Sequence, residues 1–360
     1  MQRTAPSFWW KKHSLAGFAL APIGYLYGRL ARRRMEQTGT DVQVPVICVG
    51  NLVAGGAGKT PTALALAEFA RRSGFRVGFL TRGYLGCERG PVLVSKSVHT
   101  VAEIGDEAFL LAAAAPTVVS VDRLAGAKLL ARLGVDLIIM DDGFQNPSLV
   151  KDLSLIVIDA GRGIGNGRVL PAGPLRAPLF DQIRRADAII ILGSGPGDKS
   201  VRTAARAGLP VVRAHLEPVR KRGFRRSAYL AFAGVANPGK FYATLTSAGA
   251  QVAETMDFPD HHVFTDTECE TILRRCRENG YVPITTDKDR VRLSGRSGPA
   301  ADLAALSETF PVRVVFEEPK RVVSLIEGTV AGHQGVLRRP PPQPERLSDS
   351  SRRSEASAST

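Results

Sequence analysis

Short, unbroken aliphatic runs recur at 44–49, 76–80, 118–121, 137–140, 155–158 and 188–192, separated by stretches whose apolar residues repeat at helical spacing. Such runs suit parallel strands covered on both faces, because neither face is left for water. The stretch 62–72, closed by Gly74, reads as one of the intervening helices. The alternation predicts an α/β fold with a doubly wound, mostly parallel sheet whose ligands lie beyond the carboxyl ends of the strands. A basic connector, Arg220-Lys221-Arg222-Gly223-Phe224-Arg225-Arg226, interrupts the series. Alternation then restarts, with strands at 228–233, 282–285 and 312–316 and a helix at 239–248. A large domain over 35–218 and a second, smaller α/β domain over 226–333 follow from this pattern.

The two ends differ from the middle. From 334 to 360 the chain is rich in Pro, Ser, Glu and Arg, with almost nothing to bury, which predicts a disordered tail. At the other end an apolar run over 14–30 is broken by Gly17, Pro22, Gly24 and Gly28 and flanked by Lys11, Lys12, Arg29, Arg32, Arg33 and Arg34. Phe8, Trp9, Trp10, Tyr25 and Tyr27 lie near its ends, where aromatic rings favour a membrane interface. The run is at the lower limit for a span, and basic residues follow it in place of a cleavage site. Residues 1–34 are therefore expected to contact a membrane; a packed N-terminal helix is the other reading.

Composition narrows the partners. The 360 residues carry 48 Lys+Arg against 34 Asp+Glu, a net charge of +14, which favours phosphate-bearing ligands or an anionic surface. Aromatic residues are only 6% and do not interleave with the basic ones, so no nucleic-acid partner is expected. Cys48, Cys87, Cys269 and Cys276 form no Cys-x-x-Cys pair, which fits a reducing compartment.

Directly after the first strand comes Gly50-Asn51-Leu52-Val53-Ala54-Gly55-Gly56-Ala57-Gly58-Lys59-Thr60-Pro61, and a helix follows. Strand, glycine-rich loop and helix in this order form a P-loop: backbone N–H groups from Val53 to Thr60 cradle a polyphosphate at a helix N-terminus. Lys59 would reach the β- and γ-phosphates, and the Thr60 hydroxyl would ligate Mg²⁺. Val53 stands where a strict motif has Gly. The acids that must face the metal are supplied by Asp141 and Asp142, which end the run Leu137-Ile138-Ile139-Met140. A GTP-reading Asn-Lys-x-Asp is missing, the nearest string being Thr285-Thr286-Asp287-Lys288-Asp289, so ATP is favoured. Gly105-Asp106-Glu107 and Asp260-His261-His262 are the candidates for taking a proton from an acceptor hydroxyl.

Taken together, the phosphate loop, Thr81-Arg82-Gly83-Tyr84, Gly105-Asp106-Glu107, Asp141-Asp142-Gly143-Phe144-Gln145, Gly167 with Leu170-Pro171-Ala172-Gly173-Pro174-Leu175-Arg176, and Thr286-Asp287-Lys288-Asp289 closely resemble the tetraacyldisaccharide 4'-kinase family of lipid A biosynthesis. The matches run in order from about residue 8 to 330. The resemblance implies a P-loop NTPase-like fold of two α/β domains with the site between them. It implies an ATP- and Mg²⁺-dependent kinase on the cytoplasmic face of the inner membrane, whose acceptor is the 4'-hydroxyl of lipid A disaccharide 1-phosphate. Carried over by motif, Lys59 is catalytic, Thr60, Asp141 and Asp142 serve the metal, and Asp106 with His261 accepts the proton. Arg82, Gln145 and Arg176 would face nucleotide or lipid phosphate. Asn146, Ala108 and Ala177 stand where His, Pro and Glu are usual.

Two other readings stay open at this stage. One is a regulatory P-loop switch that hydrolyses nucleotide without transferring phosphate. The other is a membrane-binding module without enzymatic activity, against which Lys59 with Asp141 and Asp142 argues.

Overall fold

The computed structural model describes residues 5–195, 208–219 and 227–337. In chain order the strands are β1 (Val46–Gly50), β2 (Val77–Thr81), β3 (Val92–Leu93), β4 (Thr117–Val119), β5 (Leu137–Asp141), β6 (Leu153–Asp159), β7 (Ala188–Leu192) and β8 (Val211–Pro218), followed by β9 (Ala228–Ala233), β10 (Gln251–Asp257), β11 (Val282–Thr285), β12 (Glu308–Thr309) and β13 (Val312–Phe316). Nine of them form one sheet in the order β13-β8-β7-β6-β1-β5-β2-β4-β3. Every pairing in it is parallel except at the two edges, where β13 runs against β8 and β3 against β4. The central strands β1, β2, β5 and β7 are buried at every position, as their unbroken aliphatic runs require. Separate apolar clusters cover the two faces, one around Val46, Ile138 and Ile189 and the other around Ile47, Leu66 and Ile139.

The second sheet has the order β10-β9-β11-β12, all parallel. Leu230, Phe232, Ile272 and Leu303 pack on one side of it, and Tyr229, Ala231, Leu245 and Ile284 on the other. Tyr242, on helix Pro238–Ser247, closes its edge by donating to Asp257 Oδ1 at 2.7 Å.

One expectation needs correction. The sequence pattern places the strand at 312–316 in the second domain, yet β13 belongs to the larger sheet, with Val312 opposite Pro218 and Phe316 opposite Ala214. Val314 and Phe316 point into the same cluster as Leu66 and Phe79, and helix Pro319–Leu337 adds Val322, Ile326 and Val330 to it. The core of the larger sheet is thus completed by chain that lies beyond the second lobe. Helix Pro319–Leu337 also runs past residue 334, where the tail was expected to begin; 338–360 and the basic connector 220–226 lie outside the described residues.

The N-terminal segment forms helices Leu15–Ala19 and Ala21–Met35. Gly17, Gly24 and Gly28 are buried, and a Cβ on Gly24 would stand 2.9 Å from the Val169 carbonyl oxygen. These glycines therefore seat the helices on the segment around 166–178. Phe18, Ile23, Tyr25, Leu26 and Leu30 are turned outward, and Leu15 is 91% exposed. No helix among the described residues is long and apolar enough to cross a membrane.

Candidate active site

The phosphate loop leaves β1 and enters helix Lys59–Arg72 through Gly58, whose φ of +84° only glycine adopts without strain. The loop is tied down by backbone contacts: Ala54 N–H donates to the Pro174 oxygen at 2.8 Å and Arg176 N–H to the Leu52 oxygen at 2.9 Å. Asn51 Nδ2 reaches across the loop to the Gly55 oxygen at 3.1 Å. Lys59 is the first helical residue and is 8% exposed.

Asp141 ends β5 beside this helix start, and its Oδ2 accepts the Thr60 hydroxyl at 2.8 Å. Its Oδ1 is buried with no hydrogen-bond partner among the described residues. Burial, joined by the nearby Glu107 charge, pushes the Asp141 carboxyl up to about 7 against the pull of Lys59. A hydroxyl and an unpartnered buried carboxylate oxygen side by side are the donor types Mg²⁺ takes.

Asp142 is held differently. Its backbone has φ +54°, and its carboxylate receives Arg176 from both guanidinium ends, at 2.7 and 3.1 Å, with Lys59 Nζ at 3.7 Å. Burial opposes ionisation, but Lys59 and Arg176 outweigh it and hold the group below its usual range. Arg176 also donates to the Val53 oxygen at 3.1 Å, while Gln145 Nε2 donates to the Asn51 oxygen at 2.8 Å and to Gln182 Oε1 at 2.9 Å. Two of the three residues expected to face phosphate, Gln145 and Arg176, thus brace the phosphate loop here. Arg82, just past β2, is exposed and makes no ion pair with the described residues.

Asp106 and His261 come together from the two lobes, with His261 Nδ1 at 3.2 Å from Asp106 Oδ2. Gly105, at φ +83°, turns the chain so that Asp106 opens helix Asp106–Ala112. His261 also sits at positive φ, +58°, with its ring edge-on to Tyr84 at 5.2 Å between centroids. A non-glycine residue in that region costs roughly 1 kcal/mol or more, so surrounding contacts must hold it. His262, its neighbour in the sequence, turns instead to Glu268 at 2.8 Å. Burial would raise the Asp106 carboxyl, yet the His261 contact and the Arg292 and Lys288 charges hold it below the usual range.

The family model described as tetraacyldisaccharide-1-P 4'-kinase (LpxK) matches residues 16–331. The chain belongs to the tetraacyldisaccharide-1-P 4'-kinase family. A tetraacyldisaccharide 4'-kinase of Sinorhizobium fredii is 46% identical over 333 residues, covering 92% of this chain and 96% of its own. One from Methylobacterium nodulans is 50% identical over 319 residues, covering 88% and 92%. Among solved structures, "apo" form LpxK from Aquifex aeolicus in complex with ATP aligns with TM-score 0.69 and 29% identity, over 88% of this chain and all, 100%, of that one.

Set against this family site, sequence reading gave no role to several groups the structure brings in. Lys288 Nζ donates to Glu107 Oε1 at 2.6 Å, and Arg292 Nε to Asp106 Oδ2 at 2.7 Å. Their spacing of four on helix Asp287–Leu293 was the available signal, since it puts both cations on one face. Arg123 was also passed over. It is buried just past β4 and bonded to the Ser120 oxygen, and among the described residues its Nε has no partner and no carboxylate is in ion-pair contact with it. Burial first, and Arg82 second, push its guanidinium down to about 10.

Proposed function

We propose that this cleft transfers the γ-phosphate of ATP to the 4'-hydroxyl of tetraacyldisaccharide 1-phosphate with Lys59, Thr60, Asp141, Asp106 and His261 as its working groups. The chain is an ATP-dependent lipid A 4'-kinase by family; the residue roles are the proposal. One observation carries it: Asp106 and His261, from different lobes, meet on the helix turn that also holds Glu107, whose charge bears on both Lys59 and Asp141. Glu107 thus links the proton acceptor to the phosphate loop through charge, which supports placing both at one site.

Phosphoryl transfer asks a protein mainly for positioning and charge. The N–H groups of the loop from Val53 to Thr60 would hold the phosphates, and Lys59 would meet the γ-phosphate once ATP loosens its 3.7 Å contact with Asp142. Thr60 and Asp141 would hold Mg²⁺, which when bound supplies positive charge against the phosphate oxygens. Asp142, through Arg176 and Lys59, keeps the loop in register and stands beside the metal side. Arg123 and Arg82 would supply further positive charge toward nucleotide or lipid phosphate.

With its Nδ1 proton held against Asp106, His261 takes the 4'-hydroxyl proton on its other ring nitrogen. The sugar oxygen then forms its bond to the γ-phosphorus as the bond to the ADP oxygen breaks, and the ionised Asp106 stabilises the imidazolium. The exposed apolar face of residues 15–30, with Arg29, Arg33 and Arg34 beside it, would rest on the inner membrane's cytoplasmic surface and bring the headgroup to the cleft. Incubating the protein with γ-labelled ATP, Mg²⁺ and the lipid acceptor tests the whole reading. Label should enter lipid in wild type and about a hundredfold more slowly in His261→Ala; equal rates in both sink the base assignment.

A further inference from the structure

We infer that Arg292 is a positioning residue for the reaction: it locks the Asp106 carboxylate against His261, and it does so from the opposite lobe. The inference rests on the proposed base pair and extends it to a residue outside that pair.

Arg292 is buried, on the last turn of helix Asp287–Leu293. Its Nε donates to Asp106 Oδ2 at 2.7 Å, and one terminal nitrogen reaches the same oxygen while lying 3.3 Å from His261 Nδ1. The other terminal nitrogen is anchored behind, on Asp289 Oδ1 at 2.6 Å and the Gly234 oxygen at 2.7 Å. Asp289 is itself fixed, accepting the Thr286 hydroxyl at 2.7 Å and the Gly234 N–H at 3.1 Å. Meanwhile Asp106 Oδ1 accepts the Glu107 N–H at 2.8 Å. Both carboxylate oxygens are thus committed, and rotation that would carry Oδ2 away from His261 breaks three charge-assisted contacts at once.

A planar fork that binds two acids and a carbonyl along separate edges cannot be replaced by an ammonium. Lysine keeps the charge, but its ammonium lacks the flat fork that holds Asp106 along one edge and Asp289 on the other. The neighbouring cross-lobe pair, Lys288 with Glu107, provides the control. It joins the same two helices without touching Asp106 Oδ2 or His261.

The test measures steady-state transfer with Arg292→Lys, Asp289→Asn and Lys288→Met, each alone and combined with His261→Ala. Arg292→Lys should lower kcat about tenfold with the KM for ATP unchanged, and cost less than about twofold once His261 is already gone, because groups acting as a unit are not additive. Lys288→Met, which removes a charge near Asp106 but no contact to it, should keep most of its cost in the His261→Ala background. If Arg292→Lys does not accumulate as folded protein, Asp289→Asn answers the same question by loosening the anchor, with a smaller loss that also vanishes in the His261→Ala background. Equal losses in both backgrounds for either variant would reduce Arg292 to a lobe contact and overturn the inference. Normal turnover by His261→Ala alone would remove the base reading itself, and this inference with it.

Discussion

The Thr60 hydroxyl and the Asp141 carboxylate meet at 2.8 Å, and the second oxygen of that carboxylate is buried without a partner among the described residues. A buried polar atom left in that state costs free energy that a bound cation would recover. Asp141→Asn keeps the shape and removes the charge. We expect a loss in kcat of about a hundredfold, in the range of removing one electrostatic contact to a transition state, and a higher Mg²⁺ concentration for half-maximal rate. Rate measured against Mg²⁺ concentration checks this; an unshifted curve would show that the metal lies elsewhere.

Lys59→Ala should abolish measurable transfer while the fold survives. The lysine's carboxylate neighbour Asp142 keeps its two-point contact with Arg176, so that acid is not orphaned. Thermal melting should move by no more than about 3 °C. Retained lipid labelling would contradict the phosphate-loop role, and a large drop in Tm would mean that Lys59 mainly holds structure.

Asp106→Ala and His261→Ala should each lower kcat by about a hundredfold or more, with little change in ATP affinity. The double variant should be scarcely slower than the slower single one. Multiplicative losses would mean that the two residues do separate jobs despite their 3.2 Å contact.

The membrane reading calls for substitution of the outward face. Trp9 Nε1 donates to the Pro171 oxygen at 3.0 Å, and the neighbouring Pro174 oxygen accepts from Ala54 in the phosphate loop. Removing residues 1–34 would therefore disturb the ATP site as well. Phe18→Ser, Leu26→Ser and Leu30→Ser together alter only exposed side chains. The triple variant should bind anionic vesicles about tenfold more weakly, raise the apparent KM for lipid and leave that for ATP alone. Wild type should be partly released by high salt, since each nearby Lys or Arg adds about 1 kcal/mol of screenable attraction. Undiminished vesicle binding by the triple variant would leave the face without that role.

Much of this was legible in the sequence. The strands β1, β5 and β7 were visible because burial on both faces leaves no polar position inside them, and the phosphate loop because its spacing is local. Asp106 and His261 were each visible as candidate proton acceptors, but their pairing was reachable only through resemblance, since they are 155 residues apart with no pattern linking them. Arg292 stayed hidden for the same reason: its partners Asp106 and Gly234 are 186 and 58 residues away. Gln145 and Arg176 were visible as motif residues, but a motif does not say whether a side chain faces ligand or loop. The strand β13 was found and misplaced, because its mixture of Val, Arg and Phe suits the edge of either sheet and only long-range pairing decides.

That misplaced strand has a consequence for how the molecule is made. Pro218 and Val312 are opposite each other, so the chain departs from the larger sheet and rejoins it at adjoining points. An inserted unit whose ends already lie together adds little closure entropy to its host. Synthesis, however, runs in one direction. β8 emerges early and must wait at an open sheet edge while all of β9 to β12 is delivered, before β13 arrives to cover it. The inserted lobe can complete its own core on the ribosome during that interval, and the larger lobe, begun first, is the one finished last.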